Sequence, residues 1–299
     1  MSEIQRQSSL LPRTWTVLSL IEWSRDYLAE RGFDEARLHA ELMLTRALSI
    51  SRLQLYLQFD RPLVHEELAA YRALFKRRLT HEPLQYILGE TAFMGITVGV
   101  GPGVLIPRPE TELLVELALE RIREIPKPQL FALDVGIGSG NIALAIAHHT
   151  ANVHVTGVDI SEAAVAQSRS NATRLGLNRV EVLHADVFDT GFVHDRFDLV
   201  VANPPYISKD EFASLMPEVR LFEPREALTD EQDGYGFLHR LAPRVVEMLQ
   251  PGGLFLCEIG HGQEAGAREI VANAGFRDVT VHPDYAGIPR VVEGHLPLA

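Results

Sequence analysis

An α/β fold is predicted for this chain: a doubly wound, mostly parallel sheet preceded by a small N-terminal helical bundle. Three observations predict it. Beyond Lys127, apolar runs of strand length alternate with amphipathic runs of helix length, the rhythm of strands joined by crossover helices. From about Thr14 to Arg78 the apolar spacing is helical throughout. The first strand-like run ends in a glycine-rich turn, "LDVGIGSGN", where open sheets of this class bind ligands.

The elements follow in order. Leu18, Ile21, Trp23 and Leu28 recur at near-helical spacing, with Thr14 as candidate cap. Asp34 precedes "EARLHAELMLTRAL", which places Leu38, Leu42, Leu44 and Leu48 on or near one face. Ser51 precedes a short "RLQLYL", and His65 to Leu79 reads as a further helix. Helices joined by short loops make a bundle. The basic cluster Lys76 to Arg78 reads as the solvated face of that last helix. Gly and Pro interspersed with β-branched residues from "EPLQYILGE" to "IPRPET" mark a hairpin and linker. Pro109 opens the amphipathic "ETELLVELALERI". Strands are then expected at "LFALDVG", "VHVTGVDI", "VEVLHADVF", "FDLVVANPP" and "GGLFLCEIG". Helices are expected at "NIALAIAHH", "AAVAQSRSNATRLG", "FLHRLAPRVVEML" and "EAGAREIVANAG". The closing "FRDVTVHPDYAGIPRVVEGHL" reads as a hairpin contributing one antiparallel strand. The domain boundaries expected are residues 1–81 for the helical domain, 82–106 for the linker and 107–299 for the sheet domain.

Composition narrows the function. The chain has 299 residues, 46% hydrophobic and 23% charged, an ordinary globular balance. No apolar run reaches the roughly 20 residues a membrane helix needs. The opening "MSEIQRQSSLLPRTW" lacks an apolar leader segment. The single cysteine, Cys257, reads as a small buried strand residue and suits a cytoplasmic setting. Net charge is −12, and residues 91–299 carry all the excess, 16 basic against 28 acidic. Phosphate-tracking surfaces are basic, so direct DNA binding is not expected. The 12 histidines show no metal-ligand spacing, and no metal is expected.

The candidate site lies at the carboxyl ends of the strands. Gly136, Gly138 and Gly140 permit a tight turn and close approach of a ligand to the backbone. Residue 141 is Asn, so the third glycine arrives one position early for the dinucleotide fingerprint, which argues against a nicotinamide-dependent oxidoreductase. Asp159 ends the next strand about twenty residues on, where a carboxylate holds ribose hydroxyls. It could equally cap the helix beginning at Ser161, and the roles are compatible. Asp186 ends the third strand and could meet an adenine edge, with Val187 against the ring. Together these ends point to an adenosine-containing cofactor.

The fourth strand ends in Asn203-Pro204-Pro205-Tyr206. Two prolines beside a buried strand make a stiff corner. A planar amide or aromatic amine has a delocalised lone pair and is a poor nucleophile. The Asn203 side-chain oxygen and the Pro204 carbonyl could accept its two N–H groups. Pro205 holds that carbonyl in place, and the Tyr206 ring could stack on the flat group. Catalysis would then be mostly orientation in a preorganised polar site.

"NPPY" downstream of "LDVGIGSG" resembles the class I S-adenosylmethionine-dependent methyltransferases that act on planar nitrogens. With "EPLQYILGETAFMG", "VLIPRPETELLVE", "VANPPYI", "LFEPREAL", "CEIGHGQ" and "DYAGIPRVV", the chain resembles the release-factor glutamine methyltransferases, the PrmC/HemK family, from the helical domain to the C-terminus. The resemblance implies a Rossmann-like methyltransferase sheet. It implies methyl transfer from S-adenosylmethionine to the glutamine side-chain amide in the Gly-Gly-Gln loop of a class 1 peptide-chain release factor. Cofactor contacts fall on Gly136, Ile137, Gly138, Ser139, Gly140, Asp159, Asp186, Val187 and Asn203, and the substrate clamp on Asn203, Pro204, Pro205 and Tyr206. Pro107 to Thr111 would lie beside the active site, and the helical domain would hold the partner protein. The family usually has Thr where Ile137 stands, which implies one hydroxyl fewer near the cofactor. Its usual Gly-rich, aromatic stretch is altered in "TDEQDGYGFLHR", and Ile288-Pro289-Arg290 also departs from its pattern. An adenine-N6 DNA methyltransferase shares NPPY alone and should add a basic target-recognition region.

Overall fold

A computed structural model describes residues 14–189, 191–192 and 197–298. The opening residues read above for a leader fall largely outside that range, as does residue 299 of the expected sheet domain. The chain divides into two compact units, Met1–Leu88 and Gly89–Ala299.

In the first unit, α1 (Val17–Ala29) is followed by α2 (Ala36–Leu48), α3 (Arg52–Tyr56), α4 (His65–Arg78) and α5 (Leu84–Leu88). The cap of α1 is Thr16, not Thr14: Thr16 Oγ1 accepts from Ser19 N at 3.3 Å and Ser19 Oγ accepts from Thr16 N at 2.9 Å. Such a reciprocal pair satisfies two of the helix's orphan donors. The buried face of α1 is Val17, Leu20, Ile21, Ser24 and Leu28, while Trp23 stays 37% exposed. Helix α2 buries its small Ala36 and Ala40 beside Met43 and Leu44 rather than Leu38, Leu42 and Leu48. The expected basic face on α4 is corrected at one residue. Arg78 is buried, its guanidinium lies 4.5 Å from the centre of the Phe33 ring, and its Nη1 donates to Glu82 O at 2.9 Å. A delocalised cation with an aromatic face and a carbonyl beside it tolerates burial.

The second unit opens with a hairpin, β1 (Glu90–Phe93) and β2 (Ile96–Gly99), turned through Met94 and Gly95 at φ 46° and 78°. Helix α6 (Thr111–Glu124) precedes β3 (Leu130–Val135), α7 (Asn141–His149), β4 (Val153–Asp159), α8 (Glu162–Leu175) and β5 (Val180–His184). Then come β6 (Phe197–Ala202), two short helices α9 (Lys209–Phe212) and α10 (Pro217–Phe222), and α11 (Gly236–Met248). The chain ends through β7 (Leu249–Glu258), α12 (Glu264–Asn273), β8 (Arg277–Pro283) and β9 (Pro289–His295). The main sheet has seven strands in the order β5-β4-β3-β6-β7-β9-β8. Pairing is parallel from β5 to β7, and β9 is the reversed strand, antiparallel to both β7 and β8. The order reverses between β3 and β6, which opens a crevice at their carboxyl ends.

Strand alternation divides the core. Ala132, Leu199, Val201, Leu254 and Leu256 face α6, α7 and α8, while Leu133, Val135, Val200, Ala202, Phe255 and Cys257 face α11 and α12. Cys257 is buried there, as its sequence context suggested. Strand β5 is shorter than expected and stops at His184, not Asp186. The physical reason is local: Asp186 Oδ1 accepts from Phe188 N at 2.9 Å and turns the chain out of the sheet.

Candidate active site

Register brings the site together. Val135 pairs with Val158 on β4 and with Ala202 on β6, and Ala202 pairs with Cys257 on β7. The residues one step beyond are Asp159, Gly136, Asn203 and Glu258. Four neighbouring strands therefore release these four residues side by side at the same edge.

A cavity of about 550 Å³ opens over that edge. Gly136, Gly138, Asp159, Asp186, Val187, Asn203, Pro204 and Pro205 all line it. Gly136 and Gly138 have φ of 75° and 53°. A Cβ at Gly136 would meet nothing within 4 Å, and one at Gly138 only the Gly136 carbonyl at 3.9 Å. Side chains here would project into space that the turn leaves clear. The other three glycine-loop positions do not line the cavity. Ile137 is buried in the core, Ser139 is buried with its hydroxyl donating to Asn141 Oδ1, and Gly140 packs against Leu144 and Ser168. The Thr-to-Ile departure at residue 137 is therefore a change in packing rather than a hydroxyl removed from the cavity wall.

Asp159 ties two elements together. Its Oδ2 accepts from Gly138 N at 3.0 Å and its Oδ1 from Ser161 N at 2.9 Å, while Ser161 itself caps α8. Its carboxylate faces the cavity with lone pairs to spare. Beneath it, Asp134 is fully buried and accepts from Ala143 N at 3.1 Å, which caps α7 from the strand. Burial pushes the Asp134 carboxyl up to about 7, the Ala143 N–H opposes that, and the Asp159 charge adds to it.

The corner is held from several sides. Asn203 Nδ2 donates to Thr111 Oγ1 at 3.1 Å, so the PRPET segment does reach the corner. Among the described residues no backbone N–H donates to the Pro204 carbonyl. The Tyr206 hydroxyl donates to Glu258 Oε1 at 3.0 Å. Gln263 Nε2 donates to the Tyr206 carbonyl at 2.9 Å, while its Oε1 accepts from Gly260 N at 2.8 Å. Close packing explains two nearby glycines: a Cβ at Gly234 would lie 2.3 Å from the Tyr206 carbonyl, and one at Gly260 3.2 Å from its ring. Burial pushes the Glu258 carboxyl up to about 6, against the Thr111 and Tyr206 hydroxyls and the Arg290 charge. Burial, followed by the negative Glu258, raises the Tyr206 phenol above its ordinary range.

The far wall is the segment after α10. Asp230 accepts from Gln232 N, Gly234 N and Gly236 N, which folds this stretch into a loop. Ile207 N donates to Leu228 O and Lys209 N to Gln232 O, fastening the loop to the corner. Glu223 accepts from Ile106 N at 3.0 Å and from Arg108, joining the LFEPREAL and PRPET motifs. Glu258, Gln263 and Asp230 were not among the expected site residues. The signal for Glu258 was available: it is the acid ending the next strand, in "FLCEIG".

Among the described residues no three His, Cys, Asp or Glu side chains are placed to hold a metal ion. Two family models match the chain: a PrmC N-terminal domain over residues 19–89 and a methyltransferase domain over residues 132–221. A release factor glutamine methyltransferase of Geobacter sulfurreducens is 44% identical, over 95% of this chain and 98% of that protein. One from Bordetella pertussis is 42% identical, over 91% of this chain and 98% of that protein. Among solved structures, a methyltransferase from Pyrococcus furiosus superposes with a TM-score of 0.51 at 17% identity, covering 77% of this chain and 99% of that one. It shares the fold, a Rossmann-like sheet.

Proposed function

The chain belongs to the family of release factor glutamine methyltransferases, and from that premise we propose that it methylates the side-chain amide nitrogen of the glutamine in the Gly-Gly-Gln motif of class 1 peptide-chain release factors, with S-adenosylmethionine as methyl donor. The observation that carries this reading is the row of strand ends: Asn203 leaves β6 directly beside Gly136 on β3, and Asp159 ends β4, the next strand beyond.

The residues fit the cofactor. The glycine turn leaves clear space at two positive-φ positions, a carboxylate stands at the adjacent strand end, and the cavity over both has room for a nucleoside. Asp159 would hold the ribose hydroxyls, Asp186 and Val187 the adenine, and the backbone at Gly136 and Gly138 the amino-acid portion. Bound S-adenosylmethionine supplies an electrophilic methyl group on a sulfonium centre. The chain's own residues do the rest. Asn203 Oδ1 and the Pro204 carbonyl accept the two amide hydrogens and aim the nitrogen into the cavity. Tyr206 does not line the cavity, so the expected stacking face is not presented there; held by Glu258 and Gln263, it braces the corner. The apolar walls around Val135, Val187 and Phe237 exclude water. No general base is required before transfer, because the nitrogen sheds its proton afterwards. Rate enhancement comes from orientation and fixed dipoles.

We assign the helical residues to recognition of the release factor, and the cytoplasm as the compartment where the two meet. Among the described residues no helix is long and apolar enough to cross a membrane. The acidic balance of residues 91–299 disfavours a DNA duplex as substrate.

Mass spectrometry of a class 1 release factor incubated with enzyme and S-adenosylmethionine tests this. One added methyl group on the Gly-Gly-Gln glutamine is expected, and its loss in Asn203→Ala with the melting temperature retained. An unmodified release factor alongside a methylated DNA adenine overturns the reading.

A further inference from the structure

The Pro204 carbonyl can receive a substrate hydrogen only if its direction is fixed. The two proline rings fix φ at Pro204 and Pro205, but ψ at each remains free to swing that carbonyl. On one side the chain is held by β6, where Ala202 is paired with Val135 and Cys257. On the other side the hold must come after Pro205.

It comes at the peptide group between Tyr206 and Ile207, which is bonded at both ends. Its N–H, from Ile207, donates to Leu228 O at 3.0 Å. Its carbonyl, from Tyr206, accepts from Gln263 Nε2 at 2.9 Å. A peptide plane tied through both polar groups cannot rotate without breaking one of them. The corner is therefore strung between two fixed points, and Gln263 supplies the only side-chain tie to the Tyr206 carbonyl among the described hydrogen bonds.

Gln263 lies in the turn between β7 and α12 and is 8% exposed. Its Nε2 also donates to Gly234 O at 3.3 Å, and its Oε1 accepts from Gly260 N at 2.8 Å. All three partners are backbone groups, and a backbone N–H only donates while a carbonyl only accepts, so the carboxamide fits in one sense alone. Glycines make room for it. A Cβ at Gly234 would stand 2.6 Å from Gln263 Nε2, and one at Gly260 3.0 Å from Gln263 Oε1. Gln263 does not itself line the cavity, whereas Pro204 and the loop residues Thr229 to Gln232 do. Its amide thus acts on the corner and the loop, and not on the cofactor.

We propose that Gln263 is a positioning residue for methyl transfer: its buried carboxamide pins the Tyr206 carbonyl to the turn after β7 and to the loop walling the cavity, and so holds Asn203 and the Pro204 carbonyl at the angle the substrate amide needs. The proposal rests on the clamp reading of the corner given above.

Two substitutions test it. Gln263→Glu keeps the shape but sets a carboxylate oxygen, without hydrogens, against the Tyr206 and Gly234 carbonyls. Gln263→Met keeps the length and removes all three bonds. Each is assayed as purified full-length enzyme with a class 1 release factor, and kcat is counted per S-adenosylmethionine site titrated by calorimetry, so that unfolded chains do not enter. Per site, kcat falls about 100-fold in Gln263→Glu and about 10-fold or more in Gln263→Met, the scale of a small misplacement of reacting groups. The Kd for S-adenosylmethionine and the KM for the release factor stay within about threefold of wild type, as for an interaction that counts in the transition state. Gln263→Met decides the matter if Gln263→Glu yields no cofactor-binding protein. A role in stability alone would lower the number of sites and the melting temperature while leaving kcat per site at the wild-type value. That result, with Asn203→Ala inactive, overturns the proposal and leaves the clamp standing. Full activity in Asn203→Ala overturns the clamp, and the brace with it.

Discussion

Gly157 lies on β4, next to the edge strand β5, and the space its missing side chain leaves is filled from the glycine turn. A Cβ there would stand 2.0 Å from Ile137 Cδ1, 2.8 Å from its Cγ1 and 3.1 Å from its Cβ. Ile137 is buried, so its side chain has nowhere else to go without repacking. The two residues form one packing unit that presses the turn onto the sheet while the backbone of Gly136 and Gly138 stays open to the cavity. Gly157→Ala is expected to destabilise the protein by about 1–3 kcal/mol, the range for overpacked cores. Truncating Ile137 to Ala leaves only the 3.1 Å contact. The Gly157→Ala penalty should therefore shrink in that background, with a coupling of roughly 0.5–3 kcal/mol. Equal penalties in the two backgrounds, measured by denaturant unfolding, would show that the sites do not share this space.

Asp159 works at the scale of elements, since it joins the turn after β3 to the start of α8 through two backbone N–H groups. Each such bond is worth about 1 kcal/mol. Asp159→Ala should lower the melting temperature by only a few degrees, given about 2–4 °C per kcal/mol in a domain of this size. It should weaken S-adenosylmethionine binding tenfold or more, because the carboxylate facing the cavity is lost. A fall in stability without a fall in affinity would assign Asp159 to structure alone. Elements of this kind were legible in the sequence because their signals are local. Apolar runs mark β3, β4 and β6, glycines mark the turn, and Asn203-Pro204-Pro205-Tyr206 declares its own stiffness. What escaped depends on neighbours distant in sequence. Glu258 is visible in the sequence as an acid ending a strand, but only the pairing of Cys257 with Ala202 puts that strand end beside Asn203. Arg78 is buried only because the Phe33 ring and the Glu82 carbonyl await it. Helices α9 and α10 span four and six residues, too few for an amphipathic period to show. Strand β5 ends before its apolar pattern does, because its end is set by a side-chain turn at Asp186 rather than by a change in hydropathy.

At the scale of the whole molecule, buried carboxyls set how stability responds to pH. Folding raises Glu258 from 4.5 to about 6 and Asp134 from 3.8 to about 7, burial being the leading cause in both. Between the unfolded and folded values the native chain holds protons that the unfolded chain has released. Stability from these two groups is therefore fully present below about pH 4 and is lost as the pH climbs through 6 and 7. The loss is roughly 2 kcal/mol for Glu258 and roughly 4 kcal/mol for Asp134, at about 1.4 kcal/mol for each tenfold change in proton affinity. Self-repulsion acts in the same direction, because the net charge of −12 at pH 7 diminishes as carboxyls protonate. Glu293 acts in the opposite direction. Burial disfavours its charge, but His282, Arg121 and His295 more than offset that and hold it at about 2, so its contribution is lost as the pH falls below about 4. These opposing slopes place the highest melting temperature near pH 5, with a decline toward pH 8. Asp134→Asn keeps a side-chain oxygen for the Ala143 N–H, and Glu258→Gln keeps one for the Tyr206 hydroxyl, so the double variant should flatten the decline without removing either contact. If its melting temperature falls between pH 5 and 8 as steeply as that of the wild type, the slope belongs to surface charge, and the two buried carboxyls are not its source.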